Sequence, residues 1–115
     1  MSKYQHSNLA IARAAMYVIE KGLEIKKSGE EIIAFNQKIC GQEFDIITKI
    51  HLIECKNIDW SQYVGERGIY LMYIVHMQVL IAQQNNKIFR FYSKQPIPEK
   101  WKKWFDNNNI EAIQD

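Results

Sequence analysis

The apolar positions of this chain switch repeatedly between helical and strand period. Leu9, Ala12, Met16 and Ile19 recur at helical spacing and predict one buried helix face. Ser7 is placed to cap that helix through Asn8–Lys21, with Gly22 at the stop position. Short segments rich in β-branched and aromatic residues follow. Glu24–Lys26 reads as a brief strand and Ser28–Gly29 as a turn. Glu31–Ile39 and Gln42–Lys49 read as two strands joined at Cys40–Gly41, and His51–Lys56 as a third after a tight junction at Lys49–Ile50. Three consecutive strands with short connections predict an antiparallel meander. After Asp59–Ser61 the helical period returns. Gln62–Gln84 is apolar on most sides and reads as a helix buried against the sheet, with Gly65 and Gly68 weakening its first turns or admitting another backbone. Lys87–Ser93, KIFRFYS, is a further strand. Pro96 and Pro98 then break the chain, Pro98–Asn107 is a short helix with Trp101, Trp104 and Phe105 on one face, and Ile110–Ile113 is a last extended piece.

The order is α-β-β-β-α-β with a short C-terminal helix appended. This is an α+β (α/β) chain whose central mixed sheet is flanked by helices. Its 115 residues suffice for one core, so residues 1–115 are read as a single domain. An apolar fraction of 47% with 24% charged residues excludes a disordered chain, and a net charge of +2 leaves attraction for a polyanion to a local patch. Cys40 and Cys55 have no metal-ligand spacing and fit a reducing compartment. No basic start leads into an apolar run, and Ile69–Ala82 is too short to span a bilayer.

The chemistry concentrates in GQEFDIITKIHLIECKN, residues 41–57. Side chains alternate along a strand, so Glu43 shares a face with Asp45, and Glu54 with Lys56. The apolar runs Ile46–Ile47 and Ile50–Ile53 mark these strands as central, where unpaired charge is costly. Two carboxylates on neighbouring strands repel unless a cation lies between them, and a divalent ion with oxygen ligands supplies one.

An Asp at a strand end, then E-C-K on the next strand, between a first helix and a long second one, resembles the PD-(D/E)XK nuclease superfamily over residues 7 to about 93. The resemblance implies a restriction-endonuclease-like αβββαβ core and a metal-dependent endonuclease. Asp45 and Glu54 would ligate Mg²⁺ or Mn²⁺, with the Cys55 backbone carbonyl as a further ligand and Glu43 as a third carboxylate. Lys56 would stand by the attacking water. Phe44 replaces the literal proline before Asp45. The acidic residue that many members carry in the first helix is absent near Ile11, and Glu20 falls near the end of the predicted helix.

Other candidates are fewer. Arg67, beside Glu66 in the first turns of the long helix, and Gln62 are read as contacts to substrate phosphate. His76 and Gln78 are read as a satisfied, half-buried pair. His51 reads as packing with Ile53 and Cys55, and His6 has no zinc-ligand spacing with it. Lys100–Trp104 combines lysines and tryptophans as a stacking surface would, but its spacing favours docking of the terminal helix with the lysines in water. The strand Lys87–Ser93 followed by KQPIPEKWKKWFDNNNIEAI, residues 94–113, is also similar to C-terminal nuclease domains of bacterial contact-dependent growth-inhibition and polymorphic toxins. That similarity implies delivery into a target cell within a larger secreted protein, action in the cytoplasm on DNA or tRNA, and a cognate immunity protein as partner. A monomer is then expected. The alternatives are a homodimeric junction-resolving or repair nuclease, and a non-catalytic protein-interaction domain.

Overall fold

The computed structural model describes residues 3–115, with side chains described from Asn8 onward; the Ser7 cap and His6 lie outside that set. The elements are α1 (Lys3–Lys27), β1 (Ile32–Ile39), β2 (Gln42–Thr48), β3 (His51–Lys56), a 3-10 turn at Trp60–Gln62, α2 (Gly65–Gln84), β4 (Ile88–Ser93), α3 (Glu99–Asn107) and β5 (Glu111–Gln114). They form an α+β domain around one five-stranded mixed sheet in the order β1-β2-β3-β4-β5. The meander β1–β3 is antiparallel, and β4 and β5 run parallel to β3. A parallel neighbour needs a crossover, which α2 provides between β3 and β4 and α3 between β4 and β5.

The sheet is covered on both faces. On one, Phe44, Leu52, Phe89 and Phe91 pack with Leu71, Val75 and Ile81 of α2 and with Trp101 and Phe105 of α3. On the other, Ile46, Ile53, Cys55 and Tyr92 pack with Tyr17, Val18 and Ile25 of α1. Trp101 and Phe105 are buried, Trp104 is half-buried, and Lys100, Lys102 and Lys103 lie in water, so α3 docks by its aromatic stripe.

The first helix differs from the sequence expectation in length and face. Gly22 does not end it. A Cβ there would stand 2.8 Å from the ring of Phe35, so the glycine clears room for a strand residue inside the helix. The helix runs on through Glu24–Lys26, where a strand was expected, and stops at Ser28–Gly29. Gly29 takes φ +93, and Ser28 Oγ donates to the Ile25 carbonyl at 2.6 Å. The buried face is Tyr17, Val18, Lys21 and Ile25, whereas Leu9, Met16 and Ile19 are exposed. Polar anchoring explains the choice. Lys21 Nζ lies 2.8 Å from Asp115 Oδ1 and 4.4 Å from the centre of the Tyr92 ring, and Tyr17 donates to Asp115 Oδ2 at 2.5 Å. These contacts turn α1 onto its tyrosine–lysine side.

The hairpin connection is tight because Cys40 and Gly41 both take positive φ, 52° and 82°, as a two-residue turn matched to strand twist requires. The second helix starts at Gly65, three residues later than expected. Residues 60–62 form the 3-10 turn instead, with Asp59 accepting from the Ser61 N–H and hydroxyl. Gly68 permits the return into α2, since a Cβ there would meet the Tyr63 carbonyl oxygen at 2.7 Å.

Candidate active site where two strands part

β2 and β3 pair directly at Ile46 with Ile53 and at Ile47 with Leu52. Beyond these pairs the Cys55 N–H donates 2.8 Å to the side-chain Oδ2 of Asp45. At the same point the alternation of β2 breaks. Phe44 joins the α2 face and Ile46 the α1 face, although they are two apart. On β1, Asn36 lies between the paired Phe35–Ile46 and Gln37–Phe44 and takes φ 49. This local twist in a central strand carries Asp45 to the parting of the strands, where its carboxylate is half-buried.

Glu54 and Lys56 alternate on β3; Glu54 reaches toward α2, and Lys56, at the end of the strand, lines the groove beside α1. Glu54 is 7% exposed. Its Oε2 accepts from Gln78 Nε2 at 3.0 Å and lies 3.5 Å from Lys56 Nζ. Gln78 is 1% exposed and also donates to the Glu43 carbonyl oxygen at 3.2 Å, so one amide ties β2 and β3 to α2. Its own Oε1 is buried with no hydrogen-bond partner among the described residues. The expected half-buried pair of His76 and Gln78 is thus corrected. The two point different ways on α2, and His76 is exposed with its ring edge-on to Trp104 at 5.2 Å.

Burial, a hydrogen bond to Asp45 and the charge of Asp45 outweigh the pull of Lys56 and Gln78, and Glu54 is pushed up to about 8. Burial works to lower the Lys56 ammonium, but Glu54 and Asp45 outweigh it and hold the group above its ordinary value. Burial also pushes the Cys55 thiol up, with help from Asp45 and Glu54; it points into the α1 core as an inert packing group. Proton linkage at Glu54 gives a prediction. Between the ordinary value of 4.5 and about 8, the folded protein holds a proton that the unfolded chain has released. Stability therefore falls as pH rises through that window. Glu54→Gln removes this loss. In chelator, thermal unfolding should show the variant more stable than wild type at pH 8, by on the order of a few kcal/mol, with the gap closing near pH 4.5.

A second group of residues flanks Lys56. Tyr63, which sequence reading passed over, adds to the field that raises the lysine. Its hydroxyl accepts from Arg67 Nη2 at 3.5 Å, and the guanidinium lies 4.6 Å from its ring centre. Arg67 Nη1 donates 3.0 Å to Gln62 Oε1. Arg67 and Gln62 are thus brought together and exposed. Of the remaining candidates, Glu43 is exposed and enters the site through its backbone carbonyl. His51 is buried, with Nδ1 2.5 Å from Glu30 Oε1. Glu20 sits well inside the lengthened α1, not near its end, and its Oε2 holds Lys94 Nζ at 2.8 Å.

Among the described residues no three His, Cys, Asp or Glu side chains cluster as a metal-binding group. The donor set that does converge is two carboxylates, Asp45 and Glu54, beside the backbone of Cys55. It fits a hard divalent ion that takes one or two carboxylates and completes its shell with water and substrate oxygens. Burial is the first cause of the raised Glu54, and the neighbouring Asp45 adds to it. Compared with protein-family models, with curated proteins and with solved structures, the chain matches none of them.

Proposed function

We propose that this domain is a metal-dependent endonuclease of the PD-(D/E)XK type, hydrolysing phosphodiester bonds in nucleic acid. The observation that carries this reading is the parting of β2 and β3. It sets the Asp45 carboxylate against the Cys55 N–H and leaves Glu54 and Lys56 side by side at 3.5 Å. Asp45 and Glu54, with the Cys55 carbonyl, would hold Mg²⁺ or Mn²⁺. A divalent ion so held lowers the pKa of a bound water and offsets charge developing on phosphate.

The chain's own residues supply the rest. Lys56, kept protonated by its carboxylate neighbours, orients the attacking water and counters the negative charge added at phosphorus. Gln78 fixes the rotamer of Glu54 from a position closed to water. Arg67, held by Gln62 and Tyr63, offers its guanidinium to a neighbouring phosphate. The similarity of the C-terminal segment to nuclease domains of interbacterial growth-inhibition toxins extends the proposal. In that reading the domain reaches the cytoplasm of a target cell within a larger secreted protein, acts on DNA or tRNA as a monomer, and is blocked by an immunity protein over the cleft. No helix among the described residues is long and apolar enough to cross a membrane.

Purified protein incubated with plasmid and, separately, with total tRNA, in Mg²⁺ or in chelator, tests the proposal. Cleavage of at least one substrate in Mg²⁺ and neither in chelator is the expected result. Degradation that persists in chelator would overturn the metal-dependent mechanism, and intact substrates under every condition would overturn the activity.

A further inference from the structure

Three concavities meet at Asn57 and Ile58, the two residues that follow Lys56. One, of about 320 Å³, lies between Arg13 of α1 and Tyr63 and Arg67. A second, of about 700 Å³, runs from Arg13 past Tyr17 to Lys94. The third, of about 1100 Å³, lies between α1 and the β1–β2 hairpin, with Asp45 and Lys56 at its inner end and Ile19, Leu23 and Phe35 along its walls. The three arms differ in character. Arg13, Arg67 and Lys94 line the first two, where Asp59 and Glu20 also stand and Glu20 already pairs with Lys94. The third is mainly apolar, and its rim carries Glu31 and Glu43 against Lys26, while Glu30 is tied to His51.

A nucleic-acid strand has two chemistries, and this division suits both. Phosphates are drawn to the arginine arms and repelled from the carboxylate rim of the third. A base is flat and uncharged, and an aromatic wall next to the scissile position is a surface on which it stacks. Phe35 presents such a wall. Its ring rests against Gly22, the one helix position without a Cβ to push it away, and the residue remains 48% exposed on β1, a strand most of whose positions face solvent. A paired base inside a duplex cannot reach this wall without leaving its stack.

We propose that the groove takes single-stranded nucleic acid, its backbone along the Arg13–Arg67 arms and one unstacked base beside Phe35 in the apolar arm. The proposal rests on the nuclease reading for the position of the scissile phosphate but concerns which substrate is bound. It is tested by fluorescence anisotropy in chelator, where no cleavage is expected, using labelled single-stranded DNA and single-stranded RNA of one sequence and the matching DNA duplex. At least one single strand binds about tenfold more tightly than the duplex. Phe35→Ala removes about that factor from the single strand and leaves duplex binding unchanged, and Phe35→Trp retains it. A duplex bound as tightly as both single strands, or a Phe35→Ala variant with unchanged single-strand affinity, would overturn the proposal. The two readings fail separately. Selective single-strand binding without cleavage in Mg²⁺ removes the nuclease and leaves the base site, whereas Mg²⁺-dependent cutting of duplex indifferent to Phe35 removes the base site and leaves the nuclease.

Discussion

Asp45→Asn lowers Mg²⁺-dependent cleavage of nucleic acid by about a hundred- to a thousandfold or more, the scale of losing one principal charge-stabilising group, while the fold survives. Asparagine keeps an oxygen that can accept from the Cys55 N–H, so the 2.8 Å contact that closes the parting of β2 and β3 is retained. It also removes one of two crowded carboxylates, which relieves Glu54. Activity and stability should therefore move in opposite directions. Initial rates and urea midpoints measured on one preparation check both. A large fall in stability would mean that Asp45 is a structural acceptor, and undiminished cleavage would remove it from the reaction.

Trp60→Ala costs about 3–5 kcal/mol, the range for truncating a large buried aromatic, against a total of about 5–15 kcal/mol for a domain of this kind. Trp60 is the hub of the aromatic core: its ring lies 5.0 Å from Trp101 and 6.0 Å from Phe91, and Nε1 donates 2.9 Å to Ser93 Oγ. It also anchors the segment from Asn57 to Tyr63, the floor on which the three arms of the groove meet. Denaturant unfolding should show the loss. Cleavage measured below the variant's transition should fall as well, because Tyr63 and Arg67 lose their support. Trp60→Phe, which keeps an aromatic ring and gives up the indole hydrogen bond, should recover most of the stability. An alanine variant within 1 kcal/mol of wild type would refute the role given to this ring.

Much of the architecture could be read in the sequence because its signals are local. The hairpin at Cys40–Gly41, the abrupt turn before His51 and the prolines before α3 each act over two or three residues. The first two set the β1–β2–β3 meander and with it the nearness of Asp45 to Glu54 and Lys56. The face of α1 could not be read this way. Its apolar residues mark one side, but the side that binds is chosen by Lys21 and Tyr17 meeting Asp115, ninety-four and ninety-eight residues away. Gly22 misled for a related reason: a helix-stop residue by local rules, it serves a tertiary contact with Phe35. The break in alternation at Asp45 was not legible either: opposite it on the neighbouring strand stands Asn36 with φ 49, a pairing that single-strand periodicity does not show. Gln78 was visible as an amide in an apolar run, but its reach to Glu54 follows only from the crossover of α2. Tyr63 had one faint signal, the glycine at 68 that lets its backbone approach the helix.

Titration of Mn²⁺ into the metal-free protein, followed by calorimetry or by the spin resonance of the free ion, tests the central claim most directly. Wild type should bind at a site that vanishes in the Asp45→Asn/Glu54→Gln double variant, with binding strengthening as pH rises through the range in which Glu54 loses its proton. Mn²⁺ uptake unchanged in the double variant, or none in wild type at pH 8, would contradict it.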